Sequence, residues 1–253
     1  MIDIEQEILK RKWFYQFELP SGRLTDSYTP DFILPIHSTR ERMMFQVLDP
    51  LFEGHWTDVS CIDLACHQGY FSNKLAEKGC KQVLGIDARV DHIEHANLIR
   101  SVFGRTNLTF QTGDVNGLDP AHVGTFDIVL MYGLIYHLEN PIGAIRLARA
   151  LARRVCLIET QVAPNLSGWL DWGTYRTTKP MLGCFAIIDE TEELTEQNAE
   201  ANLTSVSLVP SLEALLWTMT AVGFTRVEVV PPPPDSYEQI ANGKRVVVAG
   251  YVE

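Results

Sequence analysis

The chain has 253 residues and a formal net charge of -11, with no Lys/Arg-rich run. A nucleic-acid partner ordinarily meets a basic face, so this charge weighs against duplex or RNA binding. Hydrophobic residues make up 46%, enough for a sizeable core, and no apolar run reaches membrane-spanning length. The five cysteines form no CxxC pair, which suits reduced thiols in a cytoplasmic protein better than a disulfide framework.

Residues 1–50 read as an N-terminal extension or cap. "MIDIEQEILKRKWFYQF" lacks the apolar core of a signal peptide. "WFYQFELPSGRLTD" alternates like a short strand pair turning at Pro20-Ser21-Gly22, and "IHSTRERMMFQVLDPLF" predicts a helix capped by Ser38 or Thr39. Residues 51–253 then read as one domain. "DVSCIDLA", "CKQVLGIDA", "LTFQTGDV", "FDIVLMYG" and "RRVCLIETQV" are strands. "GYFSNKLAEKG", "RVDHIEHANLIRSVFG" and "PIGAIRLARAL" are the helices between them. Alternating strands and helices imply right-handed crossovers and a parallel sheet, and nearly continuous apolar strands imply cover on both faces. Residues 163–210 break this rhythm and read as a lid-like insertion with an acidic run at 189–200. After it come a helix, "SLEALLWTMTAVGF", and two strands, "TRVEVV" and "RVVVAGYV", expected to pair antiparallel at the sheet edge.

The turn after the first strand, "DLACHQGYF", is the informative stretch. Ligands of open parallel sheets bind outside the carboxyl ends of the strands, and small residues there admit a close backbone approach. The spacing of Ala65 and Gly69 is not the GxGxxG of a dinucleotide fold, which argues against a nicotinamide oxidoreductase. Asp87 ends the second strand, where a carboxylate can accept ribose hydroxyls, and Asp114 ends the third, where one can accept from an adenine amine. Together they describe an adenosine pocket with little demand for phosphate.

These residues resemble the motifs of class I S-adenosylmethionine-dependent methyltransferases. "DLACHQGYFS" is similar to their first motif, "VLGIDA" to the second, "GDV" to the third and "FDIVLMYGLIYHLENP" to the fourth. The resemblance implies a Rossmann-like, seven-stranded, mostly parallel α/β sheet with helices on both faces and the last strand antiparallel. It implies S-adenosylmethionine as cofactor and S-adenosylhomocysteine as product. Asp63, Ala65, His67 and Gly69, with the adjoining Tyr70 and Phe71, would meet the methionine part. Asp87 and Ala88 would meet the ribose, Asp114 and Val115 the adenine, and Met131 and Tyr132 would form the floor near the sulfonium. Ala65 and His67 stand where the family has glycines. Alanine is tolerable there if φ stays negative, while histidine enters the left-handed region more readily. A plain nucleotide-binding turn, or a binding module without catalysis, is the competing reading.

Methyl transfer chiefly requires alignment, and a base only if the acceptor arrives protonated. His137 and Tyr136, after the fourth strand, are candidates for base and orienting group. His37 is a further catalytic candidate, and Arg40 a candidate partner for a carboxylate, the competing reading being a solvated helix start. His92 and His95 read as helix-surface residues. Trp169, Trp172 and Tyr175 read as lid aromatics that contact the acceptor. No metal ligand set is read. "MYGLIYHLENP" and "LVPSLEALLWTMTAVGF" also resemble the enzymes that modify the wobble uridine of transfer RNA with carboxymethyl-type groups. Those enzymes carry basic residues after the "YH", where this chain has Leu138 and Glu139. The expectation is therefore a small-molecule oxygen, nitrogen or sulfur acceptor, aromatic or heteroaromatic, with transfer RNA the alternative and a homodimer left open.

Overall fold

The computed structural model describes residues 4–171, 173, 178–189 and 206–253. Its centre is a seven-stranded sheet. In chain order the strands are β1 (Ser60–Leu64), β2 (Gln82–Asp87), β3 (Leu108–Thr112), β4 (Phe126–Tyr132), β5 (Ala152–Gln161), β6 (Arg226–Val229) and β7 (Arg245–Tyr251). Their spatial order is β6-β7-β5-β4-β1-β2-β3, and only β7 runs antiparallel. The last two strands pair as expected, but only β6 lies at the edge. β7 sits between β5 and β6 and is buried along its whole length, which explains its unbroken "RVVVAGY".

The principal helices are α1 (Pro35–Phe52), α2 (Tyr70–Glu77), α3 (Val90–Val102), α4 (Pro141–Leu151) and α5 (Leu212–Ala221). Strand side chains alternate between two faces, so the sheet divides two cores. One gathers Cys61, Val83, Leu130 and Leu157 under α1, α2 and α3. The other gathers Ile62, Ile86, Val129, Met131 and Ile158 under α4 and α5. α4 is capped by Asn140, whose Oδ1 accepts from Gly143 N at 2.9 Å, and α5 by Ser211, whose Oγ accepts from Ala214 N at 3.2 Å. α1 departs from its predicted start. It begins at Pro35, a residue suited to a first turn, and Ser38 and Thr39 lie inside it. Thr39 Oγ1 instead accepts from Tyr237 N at 2.9 Å, tying α1 to the segment before β7.

Residues 12–28 fold back over the carboxyl end of β1. Glu18 bridges Leu24 antiparallel around the turn at Gly22, and Lys12–Trp13 pairs with Asp26–Ser27 in parallel. Trp13, Tyr15 and Phe17 are buried. Among the described residues of 163–210, Gly168–Asp171 pairs antiparallel with Thr178–Met181, and Phe185–Asp189 with Val206–Pro210. No helix among the described residues is long and apolar enough to cross a membrane.

Candidate functional site

Between β1 and α2 the backbone is left-handed at alternate residues: Ala65 at φ 59°, His67 at φ 53° and Gly69 at φ 77°. The condition set for alanine, a negative φ, is not met at Ala65. Three hydrogen bonds impose the conformation. Cys66 N donates to Ile86 O at 2.9 Å, Gly69 N to Cys66 O at 2.8 Å, and His67 N to Asp87 Oδ2 at 2.8 Å. A left-handed non-glycine residue costs roughly 1–2 kcal/mol, so the loop is held in a glycine-like path by its neighbours. Only Gly69 could not carry a side chain at all: a Cβ there would lie 2.4 Å from Phe110 Cζ.

The loop borders a cavity of about 360 Å³ at the carboxyl ends of the strands, within the usual range for a small-ligand site. β1 lies between β2 and β4, so this is where the strand order reverses. Ala65 and His67 line the cavity, but Asp63, Gly69, Tyr70 and Phe71 do not. Asp63 is buried beneath the loop and accepts from Ser72 Oγ at 2.6 Å; burial pushes its carboxyl up to about 7. Tyr70 Oη donates to Glu41 at 2.6 Å and its ring stacks on Tyr15. Phe71 packs edge-on to Tyr132 in the core. These residues support the loop from behind.

At the ends of β2 and β3 the cavity is lined by Asp87, Ala88, Asp114 and Val115, residues singled out in the sequence, and by Arg89 and His92. Asp87 Oδ1 accepts from Arg89 N at 3.0 Å and meets His92 Nδ1 at 3.2 Å. Burial would raise this carboxyl, but the bonds from His92, Arg89 N and His67 N outweigh it and lower the pKa. A carboxylate offers about four lone-pair sites, so three contacts leave room for one further donor. His92 is corrected from surface to site: it is buried, and its ring stacks on His67 at 3.8 Å. His95 is half-buried against Trp13. Asp114 Oδ1 accepts from Asn116 N at 2.9 Å and from Asn116 Nδ2 at 3.1 Å.

The opposite wall comes from the ends of β4 and β5. Tyr132 lines it and Met131 does not, because successive strand residues face opposite cores. Tyr136 and His137 line it on a single 3₁₀ turn, ring centroids 4.2 Å apart. Arg40 also lines it, and is 5% exposed, not a solvated helix start. Its Nη2 lies 2.8 Å from Glu159 Oε2, and Glu159 is fully buried. Arg245 Nη1 donates to Glu159 Oε1 at 3.1 Å, its Nη2 to Tyr136 Oη at 3.1 Å, and its Nε to Gln239 Oε1 at 2.9 Å. Glu159 and Arg245 are absent from the sequence-based site. A carboxylate in the apolar run of β5 and an arginine opening an apolar β7 were the available signals.

His37 is corrected as a catalytic candidate. It does not line the cavity but sits behind Phe14 and Tyr15, its ring nitrogens buried without partners among the described residues. Burial, with the charge of Arg40 nearby, lowers its pKa to about 3. Phe14 and Tyr15 themselves line the cavity, and Phe14 N donates to Gln68 Oε1 at 2.9 Å. Trp169 does not line it either, standing 71% exposed on its hairpin. Trp172 and Tyr175, and nearly all of the acidic run, lie outside the described residues. No group of three or more metal-ligating side chains occurs among the described residues.

A family model described as a methyltransferase domain matches residues 36–229. The chain belongs to this methyltransferase family. Its sheet order is that of the class I S-adenosylmethionine-dependent branch. The methyltransferase is 26% identical over 179 residues to the tRNA U34 carboxymethyltransferase of Desulfotalea psychrophila, covering 70% of this chain and 48% of that protein. A Helicobacter pylori protein of the same name is 24% identical over 170 residues, covering 66% and 57%. The chain thus spans about half the length of the curated relatives it matches. Among solved structures, the N-terminal domain of EvdMO1 with SAH and D-fucose superposes at TM-score 0.70 and 21% identity, covering 100% of this chain and 98% of that one. Magnesium protoporphyrin IX methyltransferase of Synechocystis PCC 6803 with bound SAH superposes at TM-score 0.59 and 15% identity, covering 90% of each. These likenesses show the fold.

Proposed function

We propose that this methyltransferase binds S-adenosylmethionine and methylates a small-molecule acceptor. The residues present suit that cofactor. Ala65 and His67 offer a close-lying backbone for the amino-acid part. Asp87 keeps one lone-pair site for a ribose hydroxyl, and Asp114 with Val115 offers an acceptor beside an apolar surface for adenine. S-adenosylmethionine supplies a methyl on a sulfonium, already an excellent leaving group. The chain's own part is then to align the acceptor and take its proton where one must leave. Tyr136, whose oxygen is fixed by Arg245, orients the acceptor, and His137 beside it accepts the proton.

The observation that carries the small-molecule reading is the charge of the cavity wall. Its fixed cations are Arg40 and Arg89, against Asp87, Asp114 and Glu139, and Arg40 is paired to Glu159. An RNA ligand is held chiefly by phosphate neutralisation, which such a wall does not offer. The names of the relatives favour a second reading, modification of the transfer-RNA wobble uridine, and the weight that net charge placed against a nucleic-acid partner has no support from them.

Calorimetric titration with S-adenosylmethionine and S-adenosylhomocysteine tests the cofactor, with Asp87→Ala expected to weaken both at least about tenfold. His137→Ala is expected to lower turnover far more than cofactor affinity; equal losses would make it a structural residue. Methyl incorporation into unmodified transfer RNA, with none into small molecules, would replace the first reading with the second.

A further inference from the structure

Asp87 is too heavily bonded to hold both hydroxyls of a ribose. Its Oδ1 accepts from Arg89 N at 3.0 Å and meets His92 Nδ1 at 3.2 Å, and its Oδ2 accepts from His67 N at 2.8 Å. Each carboxylate oxygen has about two lone-pair sites, so Oδ1 is filled and Oδ2 keeps one. One hydroxyl fits there, and the second needs another acceptor. His92 stands next to Asp87 on the cavity wall, whereas the other carboxylates of the wall, Asp114 and Glu139, follow β3 and β4. An ionised carboxylate only accepts, so the proton of the neutral His92 ring is on Nδ1 and its Nε2 carries a lone pair. That nitrogen has no hydrogen bond among the described residues, and unlike the ring nitrogens of His37 it is not sealed from solvent.

The His92 ring is also held in place. It stacks on His67 at 3.8 Å with 25° between the planes, and His67 packs against Phe14 at 4.9 Å. Gln68 N donates to His67 Nδ1 at 2.8 Å, which fixes the second ring in turn. A side chain already locked by packing loses little rotamer freedom when it binds. The left-handed His67 thereby gains a use that a glycine at its place could not supply. We propose that Asp87 Oδ2 and His92 Nε2 divide the ribose diol of the cofactor, one hydroxyl each, with the His67 ring as the platform that holds His92. His92 then decides how strictly the intact diol is required, and His67 is a positioning residue.

This inference rests on the cofactor reading, and calorimetry separates the two. S-adenosylhomocysteine and its 2′-deoxy and 3′-deoxy analogues are titrated into wild type, His92→Asn and His67→Gly. The asparagine amide can replace Nδ1 beside Asp87 but puts nothing at Nε2. His67→Gly keeps the loop path, since glycine adopts a positive φ freely, and removes only the platform. Failure of S-adenosylhomocysteine to bind wild type overturns the cofactor reading and the diol assignment with it. With binding established, wild type is expected to hold each deoxy analogue about tenfold or more weakly. His92→Asn should weaken S-adenosylhomocysteine about tenfold and bring one analogue, not both, to within about twofold of it. His67→Gly should shrink the penalty of that same analogue by a smaller factor. If His92→Asn weakens all three ligands equally, or none, His92 serves only to support Asp87 and the diol assignment falls.

Discussion

The cavity wall at the ends of β1 to β3 is held by a left-handed backbone path and a carboxylate bonded to backbone amides, whereas the wall at the ends of β4 and β5 is held by ion-paired side chains. The first depends on three left-handed residues within five positions and on one carboxylate that accepts from two of the chain's own amides. The second depends on Arg40, Glu159 and Arg245, which come together from α1, β5 and β7. A wall of backbone holds a ligand common to many proteins and tolerates substitution where the path is kept. A wall of coupled charges selects one ligand and fails when any member is lost.

The sharpest break between the walls is expected at Glu159. Glu159→Gln leaves Arg40 and Arg245 facing each other without a counter-ion. Removing one partner of a buried ion pair typically costs about 3–5 kcal/mol. Urea denaturation would read this loss directly. An unchanged midpoint would mean that the charges are compensated otherwise.

Next in size is an opposition in pH. His37, behind Arg40, has its folded pKa lowered to about 3 against 6.5 in the unfolded chain. The unfolded state therefore takes up the extra proton, so stability present above pH 6.5 is lost as the pH falls toward 3. Asp63, beneath the nucleotide loop, goes the other way. Its folded pKa is about 7 against 3.8 unfolded, so stability present below 3.8 is lost as the pH rises through 7. Each amounts to about 4–5 kcal/mol at its limit. Denaturation across pH without added ligand should show the acid loss abolished in His37→Leu and the neutral-side loss abolished in Asp63→Asn. If either variant keeps the wild-type slope, that group does not carry the effect.

The smallest effect belongs to the loop. Ala65 already follows a glycine path, so Ala65→Gly should raise stability by about 1 kcal/mol and leave cofactor affinity unchanged. Ala65→Val should lower both, since a β-branched residue resists a positive φ. A destabilised Ala65→Gly would show that the methyl group packs usefully and the strain is small.

Much of the fold was legible in the sequence because its causes are local. Strands of four to ten residues alternate with amphipathic helices, and Asn140, Ser211 and the glycines after several helices mark their ends. The start of α1 was misread because Ser38 and Thr39 resemble caps, while Pro35 made the first turn and Thr39 found a partner 198 residues away. Asp87, Ala88, Asp114 and Val115 were legible as cavity-lining residues because each lies at or within three residues of a strand's carboxyl end. Met131 was not excluded, since strand phase is set by which face of the sheet each neighbour covers. His92 was misread because a histidine near a helix start gives no sign that a second histidine, from another loop, will stack on it.

By itself, then, the sequence determined the sheet, the place of the cavity and the two carboxylates, Asp87 and Asp114, that line it near the ends of β2 and β3. Those follow from hydrophobic period and from turns between adjacent elements, which act over a few residues. Only the tertiary structure decided that Ala65 would be left-handed, that Phe14 and Tyr15 would border the cavity, and that His37 would be sealed behind them. It also decided that Arg40 and Arg245 would share Glu159 across 119 and 86 positions. An ion pair of that kind has no period and no spacing. It exists only once the sheet has brought distant strand ends together and excluded water from them.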